Sequence, residues 1–283
     1  MIRPVLMDDE FLADVSEAAE APGDLHLWWL GQSGFLVQWQ GAHLLLDPYL
    51  SDSLTTKYAG TDKPHVRMTK RVIDPIRLDF IDVVASSHNH TDHLDGDTIR
   101  PLLAVNPELV LLVSEANREF AAARLQVPPE RLTGIATGAS VRIGAFTFHA
   151  IPSAHEVLEV DSRGDHKYIG LVVAAGPWTL YHPGDTLRYP GMAELVGQWQ
   201  IDLALLPING HDPERGVAGN LTGSEAVELA RDIRAGLVIP CHYEMFAFNT
   251  ASPDLFIRTA QQVRQPYRVI KCGERFTLEA QQA

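Results

Sequence analysis

Short apolar runs punctuated by glycine, proline and polar residues dominate the chain between positions 25 and 243, and their length predicts buried β-strands. In residues 25–50 such runs are interrupted by Gly31, Gly34 and Gly41, which favours two or three strands joined by tight turns. Further strands are predicted in 81–87 and 109–115, as a hairpin in 141–151, as a pair in 168–185, and singly in 201–208 and 236–243.

Helical spacing of apolar residues appears between and after these strands. It is clearest in 222–235, where Thr222 and Glu225 form a capping-box pattern and apolar side chains recur on one face. The other predicted helices cover 9–19, 97–104, 115–125 and 253–263. Strand-rich halves with helices behind them indicate an α/β fold, a four-layer αββα sandwich. We predict one domain over residues 1–283, with 1–24 as a polar lead-in.

The composition limits which partners the protein can bind and which cellular compartment suits it. With 23 Lys+Arg against 36 Asp+Glu, the net charge of −13 argues against a nucleic-acid-binding surface. Residues 1–24 lack the basic and apolar regions of an export signal, and the longest apolar stretch, 169–180, is too short to span a bilayer. Only Cys241 and Cys272 are present, so a disulfide framework is not expected. We therefore predict a cytoplasmic protein without a nucleic-acid or membrane partner.

The candidate chemistry is concentrated directly after the strand predicted at 81–87. His88, His90, Asp92 and His93 place four metal-ligand types within six positions. Residues two apart on a strand point to the same side, so His88 and His90 can hold one ion together. Asp92 and His93 fall on the turn into the next helix, and this ligand density favours two metals. The alternative is a solvated loop in which Asp95 and its neighbours cap the helix.

Three further ligand candidates each follow a later apolar strand. They are His155, Asp185 and His242, at the strand ends where a site shared between two sheets would recruit them. Taken alone, each is also typical of a turn or a strand end. His182 is interpreted as structural or as a support for a ligand, and Cys241 as an inert buried thiol. The histidines without a motif partner are interpreted as surface or packed residues: His26, His43, His65, His149 and His166.

Together the motif HNHTDH at 88–93, His155, the Gly-Asp pair at 184–185 and His242 resemble the metallo-β-lactamase superfamily. The resemblance covers nearly the whole chain and implies the αββα sandwich with a dinuclear site. It implies one ion on His88, His90 and His155, a second on Asp92, His93 and His242, and Asp185 as the bridge between them. We expect two divalent cations, with zinc and manganese as first choices, because imidazole and carboxylate ligands suit several metals.

Within that superfamily the segments 28–34, 180–186, 201–216 and 237–246 are similar to the L-ascorbate-6-phosphate lactonase group. Some members of that group lack a histidine at the position of His155, so its presence favours a fuller two-metal site here and leaves the exact substrate open. The resemblance implies a lactonase that opens a small polar or phosphorylated sugar lactone with metal-activated water. Related lactonases often assemble, so the resemblance also allows a homo-oligomer.

Two alternative functions accompany the lactonase prediction. Segment 203–208 and the helix after it are also similar to phosphodiesterases that cleave N-acyl phosphatidylethanolamine. A phosphodiesterase, or a broad-specificity ester or amide hydrolase, would use the same dinuclear site. A non-catalytic metal-binding protein is the alternative from another class.

Catalytic and substrate-binding residues are predicted around the ligands. Asp92 and Asp185 are expected to act on the water, and Asp185 or Tyr243 to protonate the leaving group. Tyr243 also suits a packing role, because the strand neighbour of a ligand points the other way.

An anionic small-molecule substrate would need cationic or N–H donors. For this role we predict Arg215, with His211 and Asn220 beside it. Lys57 and Arg67, in the long loop 51–70, are expected to close over the pocket as a lid.

Overall fold

Two β-sheets form the centre of the fold, which the computed structural model describes over residues 1–280. Their strands are, in chain order, β1 (Leu25–Gly31), β2 (Gly34–Trp39), β3 (Ala42–Leu46), β4 (Val83–Ser86), β5 (Val110–Ser114), β6 (Leu132–Ile135), β7 (Ser140–Ile143), β8 (Phe146–Pro152), β9 (Ile169–Ala175), β10 (Trp178–His182), β11 (Leu203–Pro207), β12 (Leu237–Cys241) and β13 (Arg275–Leu278). The seven-stranded sheet has the order β13-β1-β2-β3-β4-β5-β6, and the six-stranded sheet has the order β12-β11-β10-β9-β8-β7.

Helices cover the outer face of each sheet. They are α1 (Asp9–Ala18), α2 (Ser53–Lys57), α3 (Gly96–Val105), α4 (Arg118–Leu125), α5 (Met192–Val196), α6 (Gly223–Asp232) and α7 (Asp254–Val263). Helix α4 packs against β5 and β6 with α3 beside it, whereas α6 packs against β11 and β12 with α7 beside it. The predicted four-layer αββα sandwich is confirmed. Within residues 1–280, no helix has the length and apolar character needed to cross a membrane.

The five predicted helices are all present, with ends shifted by three residues or fewer. Shifts of three residues occur at the end of 222–235 and at the start of 115–125, where Glu115–Asn117 forms a 3₁₀ turn before α4 begins. Ser114 explains that turn, because its hydroxyl accepts a hydrogen bond from the backbone N–H of Ala116 at 3.2 Å. At the start of α6 the predicted capping box is formed: Thr222 and Glu225 each accept a hydrogen bond from the other's backbone N–H.

Strands β6 and β13 were not predicted from the sequence. Each has four residues, and each lies at an edge of the seven-stranded sheet. Their residues are mostly half-buried, so they lack the continuous apolar run by which the central strands are recognised. Strand β13 pairs with β1, from the opposite end of the chain, and a pairing over that distance leaves no local sequence signal.

The polar lead-in packs onto the sandwich as well. Helix α1 buries Phe11 and Val15, and the carboxylate of Asp14 accepts a hydrogen bond from the indole nitrogen of Trp28 at 2.7 Å. The predicted domain boundary at 283 extends past the described residues, because 281–283 lie outside them.

A small second apolar cluster lies apart from the main core. It consists of Tyr49, Leu54, Met245 and Phe246, with the half-buried rings of Tyr58 and Phe248 against it. Small clusters of this kind form under long loops. The loop 51–70 therefore has its own apolar support, and the guanidinium of Arg67 adds to it by lying 5.4 Å from the ring centre of Tyr49.

Parallel pairing decides where functional residues can meet. Strands β3, β4, β5 and β6 run parallel in one sheet, and β10, β11 and β12 run parallel in the other. Parallel strands end at the same edge of their sheet, and in α/β folds ligands bind beyond the carboxyl ends of the strands. The segments that follow β4, β10 and β12 are therefore the first place to look for a site.

Candidate metal centre

The motif after β4 forms a tight loop held by hydrogen bonds at both ends. The hydroxyl of Ser86 donates to the carbonyl of His93 at 2.8 Å, and the backbone N–H of Ser87 donates to the carboxylate of Asp47 at 2.7 Å. At its far end, Asp95 caps helix α3 by accepting a hydrogen bond from the N–H of Asp97. This folding leaves the histidines between the two anchors pointing into a shared space.

The six-stranded sheet contributes three residues, each from a different strand end. His155 follows β8, Asp185 follows β10 and His242 follows β12. Gly184 is required beside Asp185, because a Cβ at that position would lie 2.3 Å from the hydroxyl of Ser87. The backbone of His242 has a left-handed φ of 63°, an uncommon conformation for a non-glycine residue that is enriched at functional sites.

The structure brings all seven predicted ligands together. Candidate ligand atoms lie within 4.8 Å of one another in three overlapping groups: His88 with His90 and His155, His88 with His93 and Asp185, and Asp92 with His93 and His242. The first and last groups contain the residues expected to hold the two ions. Asp185 lies between these groups, with its carboxylate 3.3 Å from His93 Nε2, 3.5 Å from His155 Nε2 and 3.3 Å from His242 Nε2.

Hydrogen bonds on the outer ring nitrogens turn the inner ones toward the cluster. His93 Nδ1 lies 2.8 Å from the carboxylate of Asp47, and His155 Nδ1 lies 3.0 Å from the carbonyl of Gly219. Neither acceptor carries a proton, so each Nδ1 is a hydrogen-bond donor, and in the neutral ring each Nε2 has the lone pair that a metal would take. His88 is held in the same way by the hydroxyl of Ser87, 3.0 Å from its Nδ1. Metal-ligating histidines are typically oriented by such outer contacts.

Unsatisfied polar atoms test whether this cluster fits a metal. Within residues 1–280, His88 Nε2, His93 Nε2 and Asp185 Oδ1 are buried and have no hydrogen-bond partner. Buried polar groups normally have a hydrogen-bond partner, so three inward-facing atoms without one in a single cluster need an explanation. Divalent cations supply it, because neutral imidazole nitrogens and a carboxylate oxygen are the donors they take in proteins. The residues present therefore fit the predicted metal ions.

The charges in the cluster lead to the same conclusion. Burial and the neighbouring rings of His93 and His90 hold the pKa of His88 well below its usual value, so that His88 is neutral and able to bind a metal. Burial alone would lower the pKa of His93, but the carboxylates of Asp185, Asp47 and Asp92 raise it well above the usual value. The cluster thus has an excess of negative charge, which a divalent cation would balance.

Asp47 was not predicted from the sequence, and it organises the base of the site. It follows β3, is fully buried, and its carboxylate contacts His93 Nδ1, His182 Nε2 at 2.9 Å and the hydroxyl of Ser87 at 2.7 Å. Burial raises the pKa of Asp47, but the two histidines outweigh burial and hold it well below the usual value. His182 therefore supports a ligand through Asp47, one of the two roles considered for it. The available signal was an aspartate directly after an apolar strand.

Gln32 is the second residue that sequence reasoning missed. Its side-chain nitrogen donates to the carboxylate of Asp92 at 2.7 Å, and its backbone carbonyl accepts from the backbone N–H of His242 at 2.8 Å. The residue is fully buried and has a left-handed φ of 51°. It thereby joins the Asp92 loop to the segment after β12. From the sequence, Gln32 was covered only by the similarity of segment 28–34 to the lactonase group.

Tyr243 does not occupy the predicted proton-donor position. Its hydroxyl donates to the carbonyl of Ile270 at 3.0 Å, and its ring lies 4.6 Å from that of Trp29. Burial raises the pKa of Tyr243 well above its usual value. The packing role considered for Tyr243 is the one that this geometry supports.

The three predicted substrate residues, Arg215, His211 and Asn220, are not among the residues that line the cavity at the cluster. The guanidinium of Arg215 donates to the carbonyls of Asn209 and Thr250, at 2.5 and 3.1 Å, so it ties two loops together. His211 lies 3.3 Å from the carboxylate of Glu225. This geometry does not support a phosphate-binding role for Arg215. Asn220 is fully buried and its amide has no partner among the described residues, so its substrate role stays a prediction.

A cavity of about 470 Å³ opens onto the cluster. The seven candidate ligands are here named the ligand set, and five of them form part of the lining: His90, Asp92, His155, Asp185 and His242. Another part, here named the loop set, consists of Lys57, Tyr58, Lys63, His65 and Phe248. Arg124 and residues 216–218 also contribute to the lining. The volume suits a small organic molecule. Of the two residues predicted to form a lid, Lys57 reaches the cavity, whereas Arg67 is buried and hydrogen-bonds to backbone carbonyls.

Known proteins are similar to this chain in sequence. A metal-dependent hydrolase of Myxococcus xanthus is 25% identical over 271 residues, covering 91% of this chain and 84% of the relative. A probable L-ascorbate-6-phosphate lactonase of Escherichia coli is 24% identical over 268 residues, covering 85% and 75%.

Solved structures agree on the fold. A metallo hydrolase from the archaeon Ignicoccus hospitalis superposes with a TM-score of 0.66 at 20% identity, over 91% of this chain and all of the other. An isothiocyanate hydrolase from Delia radicum gut bacteria gives 0.69 at 16% identity, over 90% and 99%. The sequence profile of the β-lactamase superfamily domain matches residues 43–243, which include every predicted ligand. The chain belongs to the β-lactamase superfamily and is a metal-dependent hydrolase of that family.

Proposed function

We propose that this hydrolase is a lactonase acting on a small polar lactone that carries a negative charge, such as a phosphorylated sugar lactone. The observation that carries the proposal is the cavity in which the ligand set meets two lysines, Lys57 and Lys63. Similarity to a probable L-ascorbate-6-phosphate lactonase supports the ester-opening chemistry. The lysines support a negatively charged substrate despite the net charge of −13, because local charge governs binding in a cleft.

Two divalent ions are proposed as cofactors, with zinc and manganese as first choices. The residues that would hold one ion are His88, His90 and His155, and those that would hold the other are Asp92, His93 and His242, with Asp185 between them. When bound, such ions lower the pKa of a water to about 7 and polarise a carbonyl oxygen.

The protein's own groups orient the reaction. Gln32 fixes one oxygen of Asp92, and Asp47 fixes the ring of His93, so both ligands are held before substrate arrives. Asp185 Oδ1 has no hydrogen-bond partner among residues 1–280. We propose that this oxygen accepts a proton from water and passes it to the leaving alkoxide, with Asp185 rather than Tyr243 as the proton carrier.

A phosphodiester hydrolase is the second candidate. The observation that favours it is the third cation of the cavity, Arg124, which lines the pocket together with Lys57 and Lys63. Its guanidinium donates to the carbonyls of Asn89 and Leu94, at 2.5 and 3.2 Å, so its charge is fixed next to the ligand loop. A phosphodiester would place its negative charge at the reacting centre itself.

A paired assay separates the two candidates. One zinc-reconstituted preparation is tested against a panel of lactones, with and without a phosphate, and against a panel of phosphodiesters. The lactonase proposal predicts turnover of lactones, with a higher kcat/KM for the charged members. Hydrolysis of phosphodiesters alone would overturn it in favour of the second candidate. Metal binding without hydrolysis of either panel would favour a non-catalytic protein.

We also propose a cytoplasmic location and a small-molecule partner. Cys241 and Cys272 are both free and buried, which suits a reducing compartment. Burial raises the pKa of the Cys241 thiol well above its usual value, in keeping with an inert residue. Neither nucleic acid nor a membrane is proposed as a partner, and a homo-oligomer stays a prediction.

A further inference from the structure

One histidine outside the metal cluster lines the same cavity. His65 lies in the loop 51–70, and its ring stacks on Tyr58 with the ring centres 4.3 Å apart. The edges of Phe246 and Phe248 meet the His65 ring at centre distances of 5.0 and 4.6 Å. Three aromatic rings therefore hold this imidazole in one orientation beside the ligand set. Packing alone would not need a polar ring at this position, because phenylalanine would fill the same space.

A hydrogen bond fixes which nitrogen of His65 carries its proton. Nδ1 lies 3.0 Å from the backbone carbonyl of Lys63. A carbonyl can only accept, so Nδ1 is the donor, and in the neutral ring Nε2 carries the lone pair. The hydrogen bonds within residues 1–280 include none to Nε2. Because His65 lines the cavity, it offers an acceptor whose tautomer and ring orientation are set before any ligand binds.

The surroundings keep the ring neutral. Burial lowers the pKa of His65, and the nearby charge of Lys57 lowers it further. The Lys63 carbonyl and the carboxylate of Asp92 act in the opposite direction without reversing the shift. At neutral pH the ring therefore accepts a hydrogen bond at Nε2 rather than donating one.

We propose that His65 is a substrate-contacting residue whose Nε2 accepts a hydrogen bond from a hydroxyl group of the substrate. The site consequently selects hydroxylated lactones over their deoxy analogues. This inference rests on the proposed lactonase function and names the chemical group that the loop set recognises. A site built to bind a hydroxyl rejects the analogue without it, because the acceptor is then left unpaired.

The test compares two probe lactones, α-hydroxy-γ-butyrolactone and γ-butyrolactone, with zinc-loaded protein. His65→Phe keeps the aromatic packing and removes both nitrogens, whereas His65→Gln keeps an acceptor oxygen. His149→Phe is the matched control, because His149 packs on Trp199 outside the cavity, with ring centres 5.4 Å apart. We expect His65→Phe to lower kcat/KM about tenfold for the hydroxylated lactone and less than twofold for the other, the effect of one hydrogen bond.

The control variants sharpen the expected pattern. His65→Gln should recover part of the loss, and His149→Phe should behave as wild type on both probes. An equal loss of activity on both lactones in His65→Phe, or no loss on either, would overturn the proposal. Zinc content and Tm are measured for each variant, so that a damaged fold is recognised directly.

A second readout does not depend on turnover. The ¹⁵N shifts of the His65 ring in the zinc protein report its tautomer, which should be protonated at Nδ1. Adding the hydroxylated probe should move the Nε2 shift, and adding γ-butyrolactone should leave it in place. If no member of the lactone panel, charged or uncharged, is hydrolysed and this selective shift is still seen, the lactonase proposal is rejected and the role of His65 is retained. Identical shifts with both probes would reject the role of His65 whatever the enzyme hydrolyses.

Discussion

The two parts of the cavity lining are stabilised in different ways. The ligand set follows the ends of core strands, and its orientation comes from buried partners such as Asp47, Gln32 and Ser87. The loop set lies on segments outside the sheets, and it is supported by a small apolar cluster of its own. Rigid strand ends suit the reacting centre, whereas loops suit substrate recognition, which can vary without disturbing the core. We therefore expect mutations in the ligand set to remove activity, and mutations in the loop set to change which substrate is used.

The largest expected effect is the loss of a ligand. His88→Ala and Asp185→Asn should each lower kcat at least about a thousandfold, because the metal ions supply both the nucleophile and the charge stabilisation. Bound metal is measured by inductively coupled plasma mass spectrometry, with about two ions per chain expected in the wild type. Circular dichroism should show the fold largely retained. Full activity in either variant would contradict the assignment of the site.

The second-largest loss of metal affinity and activity is expected at Asp47, which contacts the ligand His93. Asp47→Asn keeps the size of the side chain and removes the charge that meets His93 and His182. Loss of such a supporting group typically costs 10- to 100-fold in metal affinity or activity. The measurement is a zinc titration against a competing chelator, together with kcat/KM. Asp82→Asn is the control, because the exposed carboxylate of Asp82 contacts the backbone N–H and ring of His43 and is not part of the cavity lining. Wild-type zinc affinity in Asp47→Asn would show that the ligand set does not depend on this support.

The smallest effect is expected in the loop set, and it should depend on the substrate. Lys57→Ala should raise KM a few-fold for a phosphorylated lactone and leave KM for an uncharged lactone unchanged, because an exposed charge acts mainly through attraction. Lys70, an exposed lysine of the same loop that does not line the cavity, provides the control variant Lys70→Ala.

Arg215→Ala tests the predicted anion-binding role of Arg215 in the same assay. Because its guanidinium ties two loops together, the substitution should affect charged and uncharged substrates alike. A selective rise in KM for the phosphorylated substrate in Arg215→Ala, with none in Lys57→Ala, would restore Arg215 as the anion-binding residue.

The ligand set shows how far sequence reasoning reaches. His88, His90, Asp92 and His93 lie within six consecutive positions after a buried strand, so their spacing alone indicated a metal site. The other three ligands are single residues, and each was recognised because it ends an apolar strand. Parallel strands end at one edge of a sheet, which makes strand ends a physical rule for where such residues meet.

The supporting and recognition residues show where that reasoning stops. Asp47 is 41 positions from His88 and 135 from His182, and no local pattern connects them. Arg215 looked like an anion ligand because it is a cation in a glycine-rich loop. Whether its guanidinium faces the cavity or a neighbouring loop depends on carbonyls of Asn209 and Thr250, which only the folded chain brings within reach.

The sequence by itself determined the layers of the sandwich, the ends of its central strands and the residue types of the ligand set. These follow from local patterns, since burial, strand alternation and helix capping act over a few residues. Only the tertiary structure decided which side chains hold the ligands in place and which ones face the substrate. Those roles depend on hydrogen bonds and ring contacts between distant segments, and their geometry exists only once both sheets have packed together.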